Sequence, residues 1–308
     1  MSDSNRVSVK IVPEATYGVT PVDDAGWIYQ RFTDESLVAT VNTTESAEIR
    51  TDRMLSDMSI SSKQAGGGLD IEFSPTTYDT LLAAAMGSTW TTDVLKVGVL
   101  TPSFSVEKAF EDLGKFVAFS GMRVGQASLN IAYGEILTGS FQFMGNGATT
   151  PASTLVGAGT VAPATTTDVM NATSDIGTVT IDGVSTGICI NSMTLDINNN
   201  MRETTCIGKE FANDVKYGSA SITGSVELYL SAEVFDLYQN VLDNTSVALT
   251  YTIDDGTYSY TFLLPNVKLS GDTPAAGGKD NDVMLSLTYS ALYDATEGTS
   301  LKITRTAP

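Results

Sequence analysis

The side chains able to carry chemistry in this chain are chiefly carboxylates: Asp and Glu number 36 against 17 Lys and Arg, the formal charge is −19, and histidine is absent. Without imidazole the chain lacks the usual general base of hydrolytic triads, the commonest zinc ligand and the side chain that titrates near neutrality. Cys189 and Cys206 have neither metal-ligand spacing nor histidine partners. They read as two buried or half-buried free thiols, with a strand-to-strand disulfide as the sharper alternative. Phosphate-cradling loops are missing: Gly145-Asn146-Gly147 lacks the third glycine of a dinucleotide motif, Gly66-Gly67-Gly68 runs into a strand, and no Gly-Lys-Ser/Thr occurs. Gly277-Gly278-Lys279-Asp280-Asn281-Asp282 offers oxygens to a hard cation such as calcium but no bidentate carboxylate at helix-loop-helix spacing, so a polar turn is the better reading. Asp23-Asp24 and Asp254-Asp255 sit in turn contexts, where Asp bonds its own backbone. These residues predict no catalytic site, no cofactor and no metal. The acidic balance also repels phosphates, which argues against a protein that reads DNA grooves.

The elements that must position these groups are mostly strands. Leu69-Asp70-Ile71-Glu72-Phe73, Ser128-Leu129-Asn130-Ile131, Phe141-Gln142-Phe143 and Val247 to Ile253 alternate with period two, as half-buried strands do. Tyr133-Gly134-Glu135 and Asp254-Asp255-Gly256-Thr257 supply hairpin turns between such runs, which predicts antiparallel pairing. Two stretches have helical spacing. One is capped by Ser74-Pro75 and carries Tyr78, Leu81, Leu82 and Ala85 up to Gly87; the other is capped by Ser231 and carries Phe235, Tyr238 and Leu242 on its packed face. No apolar run approaches the ~20 residues of a membrane span. The start Met1-Ser2-Asp3-Ser4-Asn5-Arg6 lacks a signal-peptide pattern, so the expected compartment is a reducing cytoplasm and the Asn-x-Ser/Thr triplets at Asn42, Asn171 and Asn244 read as chance.

Laid over one another so that Gly67 meets Gly224, two stretches agree: Leu69 meets Val226, Asp70 meets Glu227, Ser74 meets Ser231, Tyr78 meets Phe235 and Asp79 meets Asp236. Upstream, Ser36 to Asn42 parallels Ser192 to Asn198. Downstream, Phe119 to Val124 resembles Phe262 to Val267, and Ile136 to Phe143 loosely resembles Val283 to Tyr289. Order and spacing held over four elements predict an internal duplication. The expected fold is mainly β: two tandem β-sandwich or barrel-like modules, residues 1–145 and 177–308, each with one short flanking α-helix. Residues 146–176, rich in Thr, Ala and Gly with Pro151 and Pro163, form the connector, with the option of adding an edge strand to a neighbour.

At one place in each copy lies a long mixed-charge excursion. The first holds Glu45, Glu48, Arg50, Arg53 and Lys63; the second holds Arg202, Glu203, Lys209 and Lys216. A solvated hairpin is one reading. The other is an arm that docks on the next subunit, where mixed charge fixes register and partner.

The series Glu14-Ala15-Thr16-Tyr17-Gly18-Val19-Thr20-Pro21, Arg31 to Leu37, Glu48 to Arg53, Glu72 to Asp79, Phe119-Ser120-Gly121-Met122-Arg123-Val124 and Gly139 to Gly145 resembles the tail tube proteins of long, non-contractile-tailed bacteriophages. Ala276 to Leu285 and Ala291 to Ala295 continue the likeness, which covers nearly the whole chain and rests on the conjunction of motifs. The resemblance implies a β-sandwich with a flanking helix, rings whose inner sheets join into one channel, and ring stacking through the arms. It also implies a tape-measure protein inside, terminator and distal tail proteins at the ends, and genome DNA passing through the bore. Asp70, Glu72, Asp196 and Glu227 alternate with apolar neighbours and are candidates to line that bore, with solvated outer-face charge as the plain alternative. Like charge would let DNA pass without sticking. Duplication favours a ring of three chains with six quasi-equivalent positions; six chains are the alternative. Competing classes are a capsid decoration or fibre component and, more remotely, a glycan-binding or glycan-cleaving β domain.

Overall fold

The computed structural model describes residues 3–21, 26–149, 152, 161–276 and 278–306. Asp23-Asp24, Pro151 and Gly277, singled out above, lie outside the described residues. The first half contains β1 (Val7–Pro13), β2 (Ile28–Tyr29), β3 (Asp34–Glu35), β4 (Val38–Glu45), β5 (Met58–Glu72), α1 (Asp79–Ala85), β6 (Val94–Lys96), β7 (Phe104–Phe110), β8 (Lys115–Ala132), β9 (Thr138–Gly145) and β10 (Gly147–Ala148). The second half contains β11 (Ile176–Ile181), β12 (Ile190–Asn198), β13 (Arg202–Thr204), β14 (Asp214–Lys216), β15 (Ser221–Tyr229), α2 (Ala232–Leu242), β16 (Ser246–Asp254), β17 (Ser259–Gly271), β18 (Met284–Ala291) and β19 (Lys302–Thr306). The fold is mainly β, and the pairings between these strands are antiparallel.

Alternation builds the core. Phe141 and Phe143 of β9 and Met193, Leu195 and Ile197 of β12 are buried, while Ser140, Gln142, Thr194 and Asp196 face the other way. The long strand β8 passes from one layer to another. Lys115–Met122 pairs with β7, and Phe119 and Ser120 also pair with β10; Arg123–Asn130 pairs with β9, and Gln126–Ala132 also pairs with β12. Register shifts at Phe104/Val106 and at Val124/Gln126 mark the bend, as bulges do where a strand changes sheet. In the second half β17 has the same division: its start pairs with β16 and β19, its end with β18. Corresponding pairings recur: β1–β7 with β11–β16, β5–β9 with β15–β18, and β4–β5 with β12–β15.

Because β8 pairs with β12, the two halves share one antiparallel sheet in the order β4-β5-β9-β8-β12-β15-β18-β17. At its ends, the outer edge of β4 and the Leu269–Gly271 edge of β17 have no strand partner among the described residues. A glycine–aromatic pair stands in each half: Gly67 opposite Phe143 and Gly224 opposite Tyr289. A Cβ on Gly224 would lie 2.1 Å from the Thr194 carbonyl oxygen and 2.5 Å from the Tyr289 ring, whose hydroxyl donates to that carbonyl at 2.7 Å.

Helix α1 starts later than its sequence predicts. Thr76 takes a left-handed φ of 63° and gives its N–H to Tyr260, while the Ser74 hydroxyl bonds Thr77, so residues 74–78 form a turn and the helix begins at Asp79. It ends as expected at Gly87, φ 58°. Ser231 caps α2 as expected, accepting from the Val234 N–H at 3.2 Å, but the packed face differs from the predicted one. Val234 and Leu237, at i and i+3, are buried, whereas Phe235 is 53% and Leu242 61% exposed. The connector is docked on the first half: Met170 exchanges backbone bonds with Phe73 and Leu137, and Ala162 bridges to Ile28.

Candidate assembly surfaces

One face of the shared sheet is polar from β5 to β17, seven of its eight strands. In register, Asp70 stands opposite Ser140, then Ser128, Asp196, Thr223, Ser290 and Lys268. A second row runs Glu72, Thr138, Asn130, Thr194, Ser225 and Thr288, and a third holds Ser192, Glu227 and Ser286. The four carboxylates picked from the sequence, Asp70, Glu72, Asp196 and Glu227, therefore share this face. Hydroxyl pairs, Ser128–Ser140 at 2.9 Å and Thr194–Ser225 at 3.0 Å, link neighbouring strands within the first and second rows. Asn191 donates to Glu227 at 2.7 Å, and partial burial raises the Asp196 carboxyl above its ordinary range. No ion pair neutralises any of the four among the described residues. The surface is short-chained, uncharged or negative, with Lys268 at its far edge.

The two arms have different shapes. The first is a β4–β5 hairpin that stands away from the body; its last pair is Glu45 opposite Met58, and the tip carries Glu48, Arg50 and Arg53. Arg50 grips Asp52 at 2.7 Å, holding that carboxyl below its ordinary range, and Arg53 turns the chain with φ 64°. Apolar side chains are presented to solvent along it: Ile49 is 99%, Met54 68% and Met58 52% exposed. The second arm folds back instead of projecting. Its β13–β14 ladder sets Arg202 opposite Lys216 and Glu203 opposite Val215, and it leans on the base of the first arm. There Lys63 pairs with Glu210 and donates its backbone N–H to the Glu210 carbonyl at 2.7 Å, and Gln64 reaches Glu203 at 3.4 Å. Lys209 stays exposed in the intervening turn, where its N–H meets the Cys206 carbonyl at 3.2 Å.

What fixes the second arm is a set of residues that no site prediction named. Arg123, almost wholly buried, pairs with Asp214 at 3.0 Å, donates to the Val215 carbonyl and stacks on Tyr17 at 4.1 Å; the Tyr17 hydroxyl accepts the Val215 N–H at 3.0 Å. Glu14 holds this corner from below, accepting from Ser103 and Ser105 at 2.7 Å each and from the N–H groups of Gly18 and Gly121 at 2.8 Å each. The Glu14–Pro21 and Phe119–Val124 motifs thus have a shared purpose. Their spacing around Glu14, Tyr17, Gly121 and Arg123 was the available signal.

Cys189 and Cys206 are free, as read, but both are exposed rather than buried. No cluster suited to a metal occurs among the described residues. Asp280 has φ 65° in an exposed turn. The sequence profile of the phage tail tube protein family matches residues 4–291. The chain belongs to that family. No curated protein matches it. Membership makes this tail tube chain a structural component of a bacteriophage virion tail that assembles with copies of itself.

Proposed function

We propose that this chain is a tandem duplication whose copies close into rings, and that stacked rings form the tube of a long, non-contractile tail through which genome DNA passes. The role is structural and non-enzymatic. The observation that carries the reading is the eight-stranded sheet with one polar face, built twice from the same four-strand order and ending in two edges unpaired among the described residues. Unpaired edges are an aggregation liability that a closed ring removes. At ~4.8 Å per strand, three chains would close a barrel about 35–50 Å across, depending on tilt, and six would double it. Three chains, with six quasi-equivalent positions, are preferred.

In this arrangement Asp70, Glu72, Asp196 and Glu227 line the bore. An anionic wall of short side chains releases no counterions from DNA and so does not hold it. The exposed tip of the first arm, with Ile49 and Met54, serves contact with the adjoining ring, while the second arm, folded on the body, braces its base. A tape-measure protein occupies the bore before DNA, and terminator and distal proteins cap the ends. Assembly takes place in the host cytoplasm. Negative-stain microscopy of the purified protein, alone and with the tape-measure protein, tests the reading: hollow tubes are expected. Discrete particles without tubes would favour a decoration or fibre component, and glycan turnover would favour an enzyme.

A further inference from the structure

The contact that joins the two halves provides a template for the contact between chains. The second arm's base closes on the first half at three points: Asp214 pairs with Arg123, Val215 is wholly buried beside it, and the Tyr217 hydroxyl reaches the Ala84 carbonyl at the end of α1 at 3.3 Å. Counting back equally from Gly224 and Gly67, each opposite an aromatic in the same strand pair, Asp214, Val215 and Tyr217 correspond to Asp57, Met58 and Ile60. All three first-arm residues are exposed, Met58 at 52% and Ile60 at 50%, and Asp57 has no ion-pair partner among the described residues.

The receiving side is duplicated as well. Bulged pairings place Met122 of β8 at the position of Val267 in β17, since Phe119 and Met122 flank one register shift and Leu264 and Val267 flank the other. The next residues, Arg123 and Lys268, then correspond. This corrects the ungapped comparison, which set Val124 on Val267. Lys268 has no carboxylate partner among the described residues; its ammonium rests on the Asn244 carbonyl past α2. Two residues before Asn244, at the end of α2, Leu242 is 61% exposed, whereas its counterpart Ala85 in α1 is 1% exposed.

Building on the ring reading, we infer that the base of the first arm docks on the second half of a neighbouring copy, with Asp57 on Lys268 and Met58 and Ile60 over Leu242. This reproduces between chains the contact that Asp214, Val215 and Tyr217 make within one. The partner is a second copy because the charges, the apolar residues and the free edges of β4 and β17 are complementary on one polypeptide. The arm's tip is left clear for the adjoining ring.

The test pairs charge reversal with cross-linking. Asp57→Lys or Lys268→Asp alone should raise the protein concentration needed for tubes at least ~tenfold, and the two together should restore it to within ~threefold. Thermal melts of the unassembled variants control for folding. In a Cys189→Ser, Cys206→Ser background, Met58→Cys with Leu242→Cys treated with a bis-maleimide should give covalent multimers, and either cysteine alone should not. Tubes that form from both single reversals at the parent's concentration, with no multimers in the double-cysteine protein, would overturn the docking while leaving the tube reading intact. A parent chain that forms no tubes overturns that reading, and the docking with it.

Discussion

Replacing Arg123 by Met keeps most of the side-chain volume and removes its charge. Arg123 has a side-chain exposure of 9% and Asp214 of 29%, so the ion pair is largely withdrawn from water and its loss leaves a partly shielded carboxylate alone. Breaking a fully buried pair costs about 3–5 kcal/mol, and the partial hydration of Asp214 puts this one at the lower end. Loss of the stack on Tyr17 adds about 1 kcal/mol, giving about 3–4 kcal/mol in total. For a chain of 308 residues that corresponds to a fall in Tm of about 5–6 °C. Asp214→Asn keeps an acceptor and should cost about 1–2 kcal/mol, with a coupling of at least ~1 kcal/mol in the double-mutant cycle. Hydrogen exchange gives the local readout, since the Val215 amide, held by the Tyr17 hydroxyl, should lose protection in Arg123→Met before the core strands do. A melt within ~1 °C of the parent, or a coupling inside ~0.3 kcal/mol, would refute the idea that Arg123 pins the second arm.

Three further outcomes are expected. Gly224→Ala puts a methyl 2.1 Å from the Thr194 carbonyl oxygen and 2.5 Å from the Tyr289 ring, so the β12 backbone and Tyr289 must both shift; unfolding titrations should show a loss of about 2–3 kcal/mol. Burial raises the Asp196 carboxyl, so the folded chain binds that proton more tightly than the unfolded chain. The group's contribution is present in acid and is lost as pH climbs through the raised value, so Asp196→Asn should melt above the parent at pH 7 and converge with it below the carboxylate range. Asp70→Lys and Asp196→Lys together should leave tubes intact but make them retain duplex DNA at low salt in a filter-binding assay; tubes that stay free of DNA would count against a wall whose sign matters.

Much of this fold was legible because it rests on alternation. The strands around Leu69, Leu129, Phe141 and Leu249 have period two with no competing helical face, and the turn at Asp254–Thr257 carries its own hydrogen-bonding Asp residues. Parity alone put each of the four carboxylates on the side of its own strand that faces away from the core. It could not show that these sides form one face across both halves, because the β8–β12 pairing depends on tertiary register. Helix faces were harder. Around α2, Phe235, Tyr238 and Leu242 make as regular a stripe as Val234, Leu237 and Val241, and only packing on β17 chooses between them. The two arms are alike in composition, both charged, but only the second has a buried Arg to fold back on, which composition does not reveal.

A density map of the assembled tube, at a resolution that shows side chains, tests the central claim most directly. It should show one continuous β-barrel whose inner surface carries Asp70, Glu72, Asp196 and Glu227, with the edge of β17 from one chain beside β4 of the next. A bore crowded with Lys and Arg, or an assembly in which that polar sheet face lies on the outside, would contradict the account.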